Sequence, residues 1–99
     1  MNIEEMNGHD FGRIDDDGFV FNVKNIRVGK VLNDGHVLDV TGRTIGHVKS
    51  DGKVYEEDMK RVGEVKEDGT VFDIRMRKIG KAKPPHMTFG GAALLLLFR

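Results

Sequence analysis

The sequence predicts a mainly β fold: four pseudo-symmetric 17-residue β-hairpin repeats forming a closed barrel or rosette, followed by a short apolar C-terminal helix. Three observations predict it. Gly12, Gly29, Gly46, Gly63 and Gly80 stand 17 positions apart. An Asp-Gly pair recurs inside the period, at Asp17-Gly18, Asp34-Gly35, Asp51-Gly52 and Asp68-Gly69. Apolar residues fill fixed columns around it: Val20, Val37, Val54 and Val71 in one, Phe21, Leu38, Tyr55 and Phe72 in the next, Val28, Ile45, Val62 and Ile79 before each glycine. A period this regular marks a symmetric repeat fold rather than an irregular catalytic domain.

Each element follows from its columns. Asp-Gly between β-branched runs signals a hairpin, because Gly accepts positive φ without steric cost and Asp tolerates the turn. The flanking runs suit a pleated, half-buried surface. Strands 11–14 and 19–22 form the first hairpin, 28–31 and 36–39 the second, Ile45–Val48 and Lys53–Glu56 the third, 62–65 and 70–74 the fourth. A ninth, half-unit strand follows at 79–82. The glycine heading each unit lies inside a strand, where it marks a bend, a bulge or a close backbone approach around a common axis. The second strand of each unit is apolar on both faces, so something must cover the second face.

The repeat stops at Pro84-Pro85, which break the strand and set an extended linker. Residues 92–97 (AALLLL) are good helix formers, with Thr88 as a candidate cap and Gly90-Gly91 weakening the first turn. The segment is apolar all round and must be buried on every side. It is too short to span a bilayer. Two homes compete for it: the second face of the hairpins, or a subunit interface.

The 99 residues make a single domain, divided as an N-terminal arm 1–10, the repeats over 11–83, and linker plus helix over 84–99. With no cysteine there is no disulfide framework and no thiolate metal site. The acidic start lacks a signal-peptide core, which favours a cytoplasmic location. Net charge is zero but polarised: −5 over residues 1–17, +6 over 75–99 and −1 between. Ends of opposite sign attract if the first and last strands are neighbours. The basic end has no interleaved aromatic residues for base stacking, so no nucleic-acid partner is expected.

No constellation for chemistry emerges. His9, His36, His47 and His86 lack the spacing of converging zinc ligands, and His36 and His47 occupy columns that vary among the repeats, as solvated positions do. Asp15-Asp16-Asp17-Gly18 lacks the terminal Glu of a calcium loop. Ser50 is the only serine, on a turn, with no base to activate it. The expectation is therefore no enzyme, no catalytic or metal site and no cofactor. The leading function is a structural or protein-interaction module, a homo-oligomer or partner of another protein, using Leu94, Leu95, Leu96, Leu97 and Phe98. The alternative is a carrier of a small apolar, lipid-like ligand, with Phe21, Leu38, Tyr55 and Phe72 lining a pocket near the symmetry axis.

The units beginning at Gly12, Gly29, Gly46 and Gly63, the phrase from Asp39 to Gly46 (DVTGRTIG), and the tail Ala92-Ala93-Leu94 together resemble the four-fold β-flower domains. The resemblance covers about residues 11–98, although that family's tail carries bulky aromatics where this chain has leucine. It implies a pseudo-four-fold barrel or rosette with a C-terminal helix, and carries no activity across.

Overall fold

A computed structural model describes residues 3–5, 10–83 and 87–98. Its strands are β1 (Ile3–Glu5), β2 (Asp10–Ile14), β3 (Phe19–Asn22), β4 (Arg27–Val31), β5 (His36–Asp39), β6 (Thr44–Val48), β7 (Lys53–Glu56), β8 (Arg61–Val65), β9 (Thr70–Asp73) and β10 (Lys78–Ala82), and the helix is α1 (Met87–Leu97). The strands from β2 onward fall where the repeat places them. All neighbouring strands are antiparallel, and the sheet closes on itself through β1, which pairs with both β10 and β2.

That closure changes the count. In place of four hairpins and an odd ninth strand, the ring holds ten strands, or five hairpins. The fifth is split between the chain ends: Ile3 pairs with Ala82 and Glu5 with Gly80. Residues 3–5 are thus not part of a free arm. Ile3 stands 17 positions before Val20 and continues that column. The register also sets Glu4 opposite Lys81, so the oppositely charged ends of the chain do meet as neighbouring strands.

Each Asp-Gly turn is built alike. Gly18 N–H donates to Asp15 O at 3.1 Å and Asp15 N–H to Phe19 O at 3.0 Å, with Gly18 at φ 88°. Gly35, Gly52 and Gly69 repeat the pattern at φ 89–94°. Their carbonyls accept from Val48, Val65 and Ala82 of the following units at 2.8–2.9 Å, which ties hairpin to hairpin. A side chain on any of these glycines would meet that neighbour's carbonyl at 2.0–2.3 Å. At the opposite end a register shift recurs after Ile3, Val20, Val37 and Val54, and between Lys78 and Gly80. Repeated bulges bend and twist strands, which is what ring closure needs.

The interior is arranged in layers. Ile3, Val20, Val37, Val54 and Val71 form a band with no solvent exposure. Toward the Asp-Gly turns lies a second band of Ile14, Val31, Val48, Val65 and Ala82; toward the opposite rim lie the buried strand glycines. Along the axis runs α1. It begins near the Asp-Gly turns, with Met87 beside Gly69 and with Thr88 and Phe89 near Asn33–Ser50, and ends at the opposite rim. Its small residues come first, where the wall is wide-bodied: Gly91 faces Val65, and Gly90 faces Ala82, Ile3 and Ile14. Its bulky residues come last, where the wall is glycine. Leu95 lies over Gly63, Leu96 over Gly46, Leu97 over Gly29 and Phe98 over Gly12. One side chain per residue thus seats on one hairpin after another, counting down the chain.

The tail takes the intramolecular home, which does not exclude an outer side shared with another copy. Leu94, Leu95 and Leu96 are 3–5% exposed inside their own barrel. Burying a leucine stabilises by roughly 1.5–3 kcal/mol, so the helix acts as the core of a sheet too small to have another. It starts at Met87, which puts Thr88 inside the first turn instead of at its cap. Pro84-Pro85, His9 and His86 lie outside the described residues.

Candidate interaction surface at the open rim

The two ends of the barrel differ in chemistry. At the Asp-Gly end the loops are polar and short. At the other end, the rim, the loops are 23–26, 40–43, 57–60 and 74–77. They reuse the same turn: Asn25 N–H donates to Asn22 O, Gly42 to Asp39 O, Met59 to Glu56 O and Met76 to Asp73 O, at 2.9–3.0 Å. A side-chain oxygen braces three of them. Asn22 Oδ1 accepts from the amides of Lys24 and Ile26, Asp39 Oδ1 from those of Thr41 and Arg43, and Asp73 Oδ1 from those of Arg75 and Arg77, at 2.9–3.1 Å. Sharing these donors holds the carboxyls of Asp39 and Asp73 below their usual range, through the Thr41 hydroxyl foremost in the first case and the Arg77 amide in the second.

The fourth residue of each turn needs a left-handed backbone. Gly42 suits it, and Asn25 tolerates it. Met59 (φ 71°) and Met76 (φ 63°) do neither, and both are more than half exposed. A backbone cost of about 1–2 kcal/mol at each position is spent on a side chain that touches mostly water.

Every large apolar side chain that is exposed among the described residues lies on this rim: Val23, Ile26, Val40, Met59, Ile74 and Met76. Inside that ring, Phe11, Val28, Ile45, Val62 and Ile79 are partly buried against the end of α1, with Phe11 and Phe98 rings 5.9 Å apart. A groove of about 310 Å³ opens between Phe11, Val62, Ile79, Leu94, Leu95 and Phe98. Beside the apolar ring the charges are partly sectored. Loop 57–60 carries Glu57, Asp58 and Lys60 between Glu56 and Arg61, and loop 74–77 carries Arg75 and Arg77 between Asp73 and Lys78. Glu57 lies 3.8 Å from Arg43, and Asp73 2.9 Å from Arg77.

The residues predicted from the sequence separate into two groups. Leu94 to Leu96 are sealed inside, while Leu97 and Phe98 are half-buried at the rim. Phe21, Leu38, Tyr55 and Phe72 do not approach the axis. They stand half-buried on the outer wall, because strand alternation turns them away from the valine band. Their cover is cationic: Arg13 lies 4.1 Å over Phe21, Lys49 5.0 Å over Tyr55 and Lys66 5.7 Å over Phe72. Long side chains with apolar stems shield ring faces in this way. The rim loops were missed by sequence reasoning, although the misplaced apolar residues at 23, 26, 59, 74 and 76 were readable as departures from polar turn chemistry.

Other candidates occupy structural positions. Asp15 Oδ1 accepts from the amides of Asp17 and Phe19, so the acidic run braces its own turn. Among the described residues no group of three or more His, Asp or Glu converges. Nor is any helix among the described residues long and apolar enough to cross a membrane.

A family model described as 5-fold beta-flower protein matches residues 1–94, in keeping with the five hairpins of the ring. No curated protein and no solved structure matches the chain.

Proposed function

Because the chain belongs to the 5-fold beta-flower family and its barrel is filled by its own helix, we propose that it is a non-enzymatic interaction module that self-associates rim to rim with a second copy. The carrying observation is the segregation of all the exposed large apolar side chains onto one end, two of them on strained methionines. Strain that is retained where glycine would relieve it points to a use for the side chain. The end face, 30 by 29 Å across, offers roughly 700 Å², close to the ~800 Å² per partner of a standard interface. Its charge is partly self-complementary, net −1 over residues 56–61 (three acids, two bases) and net +2 over 73–78 (three bases, one acid). A two-fold axis lying in the face between loops 57–60 and 74–77 sets Glu56, Glu57 and Asp58 of one copy against Arg75, Arg77 and Lys78 of the other, as an isologous contact requires.

Sedimentation or light scattering over a concentration series tests this. Removing α1 is no test, since it removes the core; surface substitutions are. The full chain is expected to dimerise, Met59→Gly with Met76→Gly to weaken the dimer at least tenfold, and Arg75→Glu with Arg77→Glu to do the same until Glu57→Lys partly restores it. A monomer at all concentrations, or a dimer indifferent to these changes, contradicts the proposal.

The apolar-carrier reading keeps one specific foothold, the rim groove, whose volume sits at the low end of the ~300–1,000 Å³ of ligand pockets. Native mass spectrometry of protein taken directly from cells separates the readings: a bound apolar molecule that is lost from a folded Val62→Arg variant supports the carrier.

A further inference from the structure

We propose that His36 and His47 form a surface site for one divalent transition-metal ion of the imidazole-preferring class, Cu²⁺ above all. The two residues are directly opposed in the β5–β6 register. Their ring centroids are 5.8 Å apart, with the planes tilted by 43°. Two imidazoles bound to one ion at ~2.0–2.1 Å place their centroids roughly 4.5 Å apart at a right angle and 6.3 Å apart when opposed. The observed spacing falls inside that range, so a shared ion needs only side-chain adjustment.

Each ring is already oriented. Asp34 Oδ1 lies 2.9 Å from His36 Nδ1 and also accepts the His36 amide at 3.0 Å. A carboxylate against Nδ1 orients the ring, as the outer partners of metal-bound histidines do. His47 stacks on Tyr55, with centroids 5.2 Å apart and planes 13° apart.

The sister hairpins make this pair distinctive. The opposed residues at the equivalent place are Phe19 with Lys30, Lys53 with Glu64, and Thr70 with Lys81. The first is a cation over a ring, with Lys30 Nζ 4.6 Å from the Phe19 centroid, and the second sets opposite charges together. Among the described residues only this place sets two ligating bases face to face. With two protein ligands the remaining positions belong to water, and Lys49, 5.0 Å from the Tyr55 ring centre, opposes added positive charge. The site is therefore of modest affinity and exchangeable. Imidazole sites favour Cu²⁺ over Zn²⁺.

The test uses CuCl₂ alone with the full chain, by calorimetric titration and electron paramagnetic resonance. One equivalent with two-nitrogen hyperfine structure is expected. His36→Gln and His47→Gln are each expected to lower affinity at least tenfold and leave one nitrogen; Asp34→Asn is expected to lower it tenfold while keeping both. None of the three side chains is buried, and unchanged circular dichroism checks their folding. Binding retained in both histidine variants would assign the copper to another part of the chain and overturn the proposal, as would a one-nitrogen spectrum from the unaltered protein.

Discussion

Replacing Gly91 by alanine places a methyl in the narrowest part of the barrel. The new Cβ would lie 2.3 Å from Val65 Cγ2 and 2.8 Å from its Cγ1. Neither distance is tolerable, and Val65 is itself 4% exposed with nowhere to retreat. Overpacking of this kind costs ~1–3 kcal/mol, offset by about 1 kcal/mol of gained helix propensity; the net expectation is a loss of about 1–2 kcal/mol. Val65→Ala alone removes two buried methyls and opens a cavity, costing about 2 kcal/mol. Combined, the alanine at 91 fills the space vacated at 65, so the double variant is expected to lose only about 1 kcal/mol. The coupling, roughly 2 kcal/mol in favour of the pair, lies within the range of touching residues. Urea unfolding of the four proteins measures it. Additive losses within about 0.5 kcal/mol would refute the claim that α1 threads the ring against β8.

Two further outcomes follow from the rim and the titrating groups. Met76→Gly is expected to raise stability by about 1 kcal/mol in urea, since it removes a left-handed side chain, even as it weakens self-association; a stability loss would show that the methionine side chain supports the fold. Acidification should destabilise in two stages. The folded state disfavours protonated His47, mainly through burial, so stability is complete above 6.5 and declines as pH falls through the lowered folded value. Asp34, Asp39, Asp68 and Asp73 are held low, mainly by backbone amides and, for Asp39, the Thr41 hydroxyl. Their contribution is present above 3.8 and is lost as pH falls through their folded values. His47→Gln should abolish the first stage alone in a pH series of urea midpoints, and a midpoint that rises on acidification below 6.5 contradicts the assignment.

Much of the barrel was legible because turn chemistry is local. Asp-Gly fixes each hairpin within a few residues, and the strand bounds follow from alternation alone. The fifth hairpin was not, because its halves sit at opposite ends of the chain. Ile3, 17 positions before Val20, was the available sign of the missing half, whose head glycine, Gly80, lies at the other end of the repeats on β10. The place of the tail was half legible: an all-apolar helix demands burial, and the strand glycines demand something close. Their matching, one leucine to one glycine, needs three dimensions. The Phe21, Leu38, Tyr55 and Phe72 column misled because its hydrophobicity suggests an interior, whereas Arg13 of β2 and the turn residues Lys49 and Lys66 lie over the rings of Phe21, Tyr55 and Phe72 on the outer wall. The rim was partly open to periodicity, since Val23, Val40 and Ile74 share one column of the repeat and Met59 and Met76 another; what periodicity does not show is that these columns stay exposed.

Methyl-resolved nuclear Overhauser spectroscopy reads the threaded helix most directly. Leu95 methyls should contact Gly63 Hα, Leu96 methyls Gly46 Hα and Leu97 methyls Gly29 Hα, with the Phe98 ring on Gly12 Hα. Leucine methyls that show water contacts in place of this descending series would contradict the account.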